Sequence, residues 1–204
     1  MRRVLLIALA SVLAGALPSP ARANQQRDPE LRTTVARAIA EADCFPDEFE
    51  AAVWYKMMEP RLRKVVKDAG ERLQILEHVF CEAHRKDEVR LPPGLVRAII
   101  DVESRFNRWA VSPAGAVGLM QVMPFWPEEL GMRRHQLVQV PDNIRMGTAI
   151  FRHYLKREKN DVAKALARYN GSVGRRSYSD MVIQRWTRWN GADDLGREPG
   201  PIGR

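Results

Sequence analysis

The stretch Leu91-Pro92-Pro93-Gly94-Leu95-Val96-Arg97-Ala98-Ile99-Ile100-Asp101-Val102-Glu103-Ser104-Arg105-Phe106 decides how this chain is read. Leu95, Val96, Ile99, Ile100, Val102 and Phe106 recur at the three- and four-residue spacings of one buried helical face. Pro92-Pro93 marks a clean start, because proline suits a first helical turn. Glu103 falls on the same apolar stripe. Its neighbours one turn away are Ile99, Ile100, Phe106 and Asn107, so helical spacing brings it no basic partner. Asp101 instead has Arg97 four residues before it and Arg105 four residues after, the pattern of a solvated, charge-paired face. A carboxylic acid held against apolar neighbours has its pKa raised by desolvation, which is what a general acid working near neutral pH requires.

Outward from this segment the pattern stays helical. Predicted helices cover residues 30–42, 47–58, 61–68, 71–86, 93–106, 142–159, 161–169 and 177–189, with a short one near 119–123. Two-residue alternation is nearly absent, so the expected fold is all-α. Pro46 and Pro60 punctuate the early part. Residues 24–90 read as an N-terminal helical region and residues 91–190 as the domain carrying the chemistry. In residues 191–204 Gly and Pro alternate with charges, the composition of a disordered tail.

The chain has 204 residues and a formal charge of +8. Arg2 and Arg3, an apolar run from Val4 to Leu17 and then Ala21-Arg22-Ala23 form the pattern of a signal peptide over residues 1–23. The apolar run is shorter than the about 20 residues that a retained membrane helix needs. No cysteine follows it at a lipid-attachment position, so an exported, periplasmic protein is expected, with no integral membrane segment after processing. Its remaining positive charge suits an anionic polymer or a plain solubilising surface. Nucleic acid is a poor partner for an exported protein.

Cys44 and Cys81 are the two cysteines. An oxidising compartment and an even count favour one disulfide over two free thiols. The bridge would close a loop of about 37 residues, for which the chain-entropy model gives about 3 to 4 kcal/mol. His78, Cys81 and His84 share a helix flank, yet no second Cys or His pair completes a tetrahedral zinc site. No metal and no organic cofactor are expected.

Between Phe106 and Pro124 the periodicity breaks. Ser112-Pro113-Ala114-Gly115-Ala116-Val117-Gly118-Leu119-Met120-Gln121 combines a turn, two glycines and apolar residues around one amide. Such glycines let a backbone approach something bulky, such as a sugar ring, or simply return a tight loop to the core.

Taken together, Glu103-Ser104-x-Phe106 and Ala110-x-Ser112-x-x-Gly115-Ala116-x-Gly118-Leu119-Met120-Gln121-x-Met123-Pro124 resemble the signature of the soluble lytic transglycosylases. Asn143-Ile144 with Gly147 and Leu155, and then Ala165-Leu166-Ala167-x-Tyr169-Asn170-Gly171, resemble that family's later motifs, so the likeness covers roughly residues 92–189. It implies a lysozyme-like fold and cleavage of peptidoglycan between N-acetylmuramic acid and N-acetylglucosamine, leaving 1,6-anhydro ends. It implies Glu103 as both acid and base, with Ser112, Gln121, Met123, Tyr169 and Asn170 binding substrate and Tyr169 close enough to orient the carboxyl. Met120 and Met123 suit the cleft wall or the core equally, and Asn170-Gly171 also suits a helix C-terminus.

Two departures stand out. Phe125-Trp126-Pro127 replaces small residues, so Trp126 is either a stacking platform for a sugar or part of the core, and Gly171-Ser172-Val173-Gly174 replaces Ala-Gly-Pro-Gly. Residues 24–90 match nothing by their chemistry. The competing readings are a hydrolytic muramidase on the same fold and a non-catalytic wall-binding or scaffold protein, and a protein of an envelope complex is a further expected partner.

Overall fold

Helix starts are set by short polar or proline caps, and the helices ending at Ser104 and Asn170 are closed by left-handed residues. The computed structural model describes residue 25 and residues 28–40, 48–85 and 89–190. The expected leader, the tail 191–204 and Cys44 lie outside the described residues. The helices are α1 (Pro29–Ala40), α2 (Glu48–Leu62), α3 (Ala69–His84), α4 (Pro93–Ser104), α5 (Phe125–Glu129), α6 (Val140–Arg157), α7 (Val162–Asn170) and α8 (Ser177–Asn190), with a 3-10 turn at Arg134–Val138. Among the described residues there is no strand, only isolated bridges pairing Val117 with Val111 and with Val122. No described helix is long and apolar enough to cross a membrane.

Asp68 caps α3 by accepting from the Glu71 amide at 2.7 Å, and Asp161 caps α7 by accepting from the Lys164 amide at 3.0 Å. Gly171, at φ 74°, closes α7 in the left-handed conformation that glycine adopts freely. The helix carrying Glu103 ends two residues earlier than its periodicity predicts. Arg105 and Phe106 turn left-handed at φ 51° and 63°, which throws the chain into the loop that follows.

Three further expectations are corrected. α2 runs through Pro60, which lies so near the helix end that only the final turn loses a bond, while buried Met58 and Leu62 hold that turn in the core. No separate helix forms over 61–68: α2 takes in Arg61 and Leu62, and beyond it the Arg72 guanidinium captures the carbonyls of Val66 at 3.0 Å and Lys67 at 2.8 Å. The short helix lies at Phe125–Glu129 rather than near 119–123, where left-handed Gly118 and Gln121 and the bridge from Val117 to Val122 hold the chain in a turn.

α6 is the central strut, packed by α1, α3 and α7, and α4 packs most extensively on α8. Leu31, Met58, Leu76, Ile99, Ile144, Phe151, Leu166 and Val182 belong to one continuous buried cluster, so α1, α2 and α3 share a core with the helices that follow. Burying a Leu or Ile contributes roughly 1.5–3 kcal/mol, so this shared core binds the lead to the rest of the molecule. Glu82, on α3, sits inside it, held by Arg85 of its own helix and by Arg145 of α6. Cys81, the neighbouring residue, is buried as well.

Candidate active site

Glu103 sits in the last turn of α4 and lines a cavity of about 330 Å³. Ser112, Gln121, Met123, Tyr169 and Asn170 line the same cavity, so all six residues predicted from the sequence to meet substrate come together. Its size lies at the lower end of small-ligand pockets. Glu103 is the one carboxylate among the described residues lining it.

Burial pushes the Glu103 carboxyl up to about 7, opposed by a hydrogen bond from Tyr178. The Tyr178 hydroxyl donates to Oε1 at 2.5 Å, which leaves Oε2 as the oxygen free to serve the cavity. The hydroxyl's own pKa is driven well above the usual tyrosine range by burial and then by the neighbouring carboxylate, so it stays a donor. Asp101 is turned away and pairs with Arg185 of α8 at 2.9 Å. The expected charge-paired face around Asp101 is therefore replaced: Arg97 is buried, beside Met58, and the cation comes from another helix.

The loop from Asn107 to Met123 is fixed by side chains on three helices. Ser104 donates to the Leu119 carbonyl at 2.8 Å. Asn143 of α6 accepts from the Met120 amide at 2.7 Å and donates to the carbonyls of Val117 at 2.9 Å and Leu137 at 2.8 Å. Tyr169 of α7 donates to the Met120 carbonyl at 2.6 Å. Gly118 makes this close approach possible. At φ +85°, a Cβ there would fall 2.3 Å from Asn143 Nδ2 and 2.4 Å from the Leu137 carbonyl. Gly147 serves the same end, since its Cβ would lie 2.6 Å from Met120 Sδ, and Met120 is wholly core.

Within that frame Ser112 accepts from the Ala116 amide at 3.0 Å, closing the loop's tip. Gln121, at φ 50°, commits its amide nitrogen to the Ala110 and Gly118 carbonyls, leaving its carbonyl oxygen as the group able to accept from a ligand. Met123 is buried along the wall and Asn170 is exposed at its rim.

Two sequence readings shift. Tyr169 lines the cavity but spends its hydroxyl on the Met120 carbonyl, and Tyr178 holds the carboxyl instead. Trp126 is fully buried, its indole donating to Gln25 at 3.2 Å, so it is core and not a stacking platform. The sequence signal for Tyr178 was present in Tyr178 and Val182, both buried one turn apart at the start of α8. Only tertiary packing of α8 on α4 shows which residue they face. Gln25 had no such signal.

An all-α frame with one desolvated carboxylate at the floor of a polar-lipped cavity defines the class as lysozyme-like. The transglycosylase SLT domain family matches residues 80–180, and this part of the chain belongs to that family. The chain is similar to the transglycosylase of Enterobacteria phage PRD1, 34% identical over 91 residues that make up 45% of this chain and 33% of the phage protein. It is also similar to the membrane-bound lytic murein transglycosylase C of Actinobacillus pleuropneumoniae serotype 5b, 38% identical over 61 residues, 29% of this chain and 17% of that protein. The chain thus spans a third or less of the length of these curated relatives.

Proposed function

We propose that the protein is a lytic transglycosylase acting on peptidoglycan in the cell envelope, with Glu103 as its single acid and base. In the first step the Glu103 carboxyl donates its proton to the glycosidic oxygen as the bond from C1 of N-acetylmuramic acid breaks. In the second, the resulting carboxylate takes the proton of the muramic acid 6-hydroxyl as that oxygen closes onto C1, giving the 1,6-anhydro end and restoring the acid. The carrying observation is the lone, half-buried carboxyl at the cavity floor, held by a neutral tyrosine hydroxyl and raised to about 7. Hydrolysis with a second carboxylate as nucleophile or base would need a partner some 5 to 9.5 Å away, and the cavity lining supplies none among the described residues. Ser112, Gln121 and Asn170 are the polar groups for acetamido and hydroxyl contacts, and Met123 and Tyr169 form the wall.

The leader at residues 1–23 would carry the chain to the periplasm, and a bridge from Cys44 to Cys81 would tie α3 to the segment before α2. A mass that rises by two hydrogens on reduction supports the bridge; an unchanged mass refutes it. The test of the reaction is digestion of purified peptidoglycan followed by mass spectrometry. Wild type is expected to release anhydromuropeptides, and Glu103→Gln to bind the wall while releasing at least about a hundredfold less. Reducing ends in place of anhydro ends would assign hydrolysis instead.

A further inference from the structure

The cavity that holds Glu103 has a wall from an unexpected place. Gln25 lies before α1 and outside the segment that matches the transglycosylase family, yet it lines the same cavity as Glu103 and is buried there. Its position is anchored on both sides. Its Oε1 accepts from the Trp126 indole at 3.2 Å, and its backbone carbonyl accepts from the Asp28 amide at 3.3 Å. Asp28 in turn caps α1 through the Leu31 amide at 3.0 Å and is gripped by His153 at 3.2 Å and Arg157 at 3.0 Å, both on α6. The start of the lead is thus pinned to the central strut at one end of the cleft.

A primary amide has two N–H donors and one carbonyl acceptor. In Gln25 the acceptor is committed to Trp126, so the nitrogen is what it can offer to the cavity it lines. The other polar side chains there divide differently. Gln121 has spent its nitrogen on backbone carbonyls and Tyr169 has spent its hydroxyl, so both are poor donors to a ligand. A glycan rich in acetamido and hydroxyl oxygens needs donors as well as acceptors.

Resting on the transglycosylase reading, we propose that Gln25 is a substrate-binding residue of the cleft. Its Nε2 donates to an oxygen of an N-acetylhexosamine unit of the glycan, and the lead thereby builds part of the binding site. Its role is selection and retention of the strand, with no part in proton transfer.

Gln25→Glu separates this role from a purely structural one, because the carboxylate keeps an acceptor for the Trp126 indole and loses both donors. Binding of soluble peptidoglycan strands is measured by calorimetry at pH 8, in the protein purified as the cell processes it and carrying Glu103→Gln so that no turnover occurs. Thermal unfolding is followed alongside. The expected result is three- to tenfold weaker binding for Gln25→Glu well below its melting transition, the range for one neutral hydrogen bond, with some fall in melting temperature from the charge placed in a buried site. Gln25→Ala should lose affinity and melt lower as well. Undiminished binding by Gln25→Glu at a temperature where it is fully folded would overturn the proposal, as would a loss that vanishes once the unfolded fraction is allowed for. The chemistry is judged separately: strands that bind but yield no anhydro product with wild type would refute the reaction and leave the Gln25 contact standing, whereas no binding at all would refute both.

Discussion

Among the described residues Glu82 is buried and Glu103 half-buried, and the surroundings of these two carboxylates are opposite. Glu82 on α3 is 1% exposed and meets two guanidinium groups, Arg85 at 2.9 Å and Arg145 at 3.0 Å, while Arg152 donates to its backbone carbonyl. Among the described residues Glu103 on α4 meets no cation and a single tyrosine hydroxyl. Paired guanidinium groups compensate for the loss of water around a negative charge, so Glu82 ties α3 to α6. A lone hydroxyl compensates only in part, so Glu103 holds its proton to about 7. Burial alone therefore does not mark a reactive acid; burial without a counter-charge does.

The contrast is broken most forcefully by exchanging the consequences of losing each acid. Glu103→Gln should reduce anhydromuropeptide release at least about a hundredfold and leave folding intact. Glu82→Gln should do the reverse. It removes the counter-charge shared by two guanidinium groups at a cost of about 3 to 5 kcal/mol, lowering the melting temperature by about 10 °C while the folded fraction keeps its turnover. Equal losses of activity and stability in the two variants would erase the distinction.

A similar structural loss is expected from Asn143→Ala, which removes the two bonds that clamp the Val117 to Met120 turn to α6 and a third to the Leu137 carbonyl. Stability should fall by about 3 kcal/mol, and because Ala116 and Gln121 on either side of this turn line the cavity, glycan affinity should fall with it. Calorimetric unfolding and strand binding measure the two effects.

Tyr178→Phe sharpens the comparison from the side of Glu103. The hydroxyl stabilises the ionised carboxyl, so its removal should raise the pKa further and shift the alkaline limb of the pH–rate profile upward from about 7. The rate itself should fall about tenfold, since the carboxyl also loses its orientation. An unmoved limb would mean that Tyr178 does not govern this proton.

The remaining effect is in stability against pH. With its folded pKa above the unfolded value, Glu103 contributes stability that is present below about 4.5 and lost as pH rises through about 7. Glu103→Gln escapes that loss. Its stability relative to wild type should climb between these limits and then level, by at most about 3 kcal/mol and less to the extent that water reaches the carboxyl. Parallel denaturation curves from pH 4 to 8 would show it, and a constant difference would refute it.

What the sequence made legible is what helical periodicity can encode. Glu103 on its stripe, the caps at Asp161 and Gly171, and the loop around Gly118 are all local patterns. Partners across the fold are not local. Tyr178 lies 75 residues from Glu103, Arg185 lies 84 from Asp101, and Gln25 lies 101 from Trp126. Spacing within a helix suggested Arg97 for Asp101, but the packing of α8 on α4 supplied Arg185 and buried Arg97 elsewhere. Likewise, a Phe-Trp-Pro run announces an aromatic cluster without saying which side faces solvent, and the core took Trp126 whole. The lead matched no known motif because its part in the site is made by one residue and its anchors, with no repeat or pattern to betray it.

The central claim is that Glu103 is an uncompensated acid, in contrast to Glu82 with its two guanidinium partners. Site-resolved carbon NMR of the Glu103 carboxyl, titrated from pH 3 to 9, tests this most directly. The predicted midpoint is about 7, moving upward in Tyr178→Phe. A midpoint near the ordinary value of 4.5 would contradict the account.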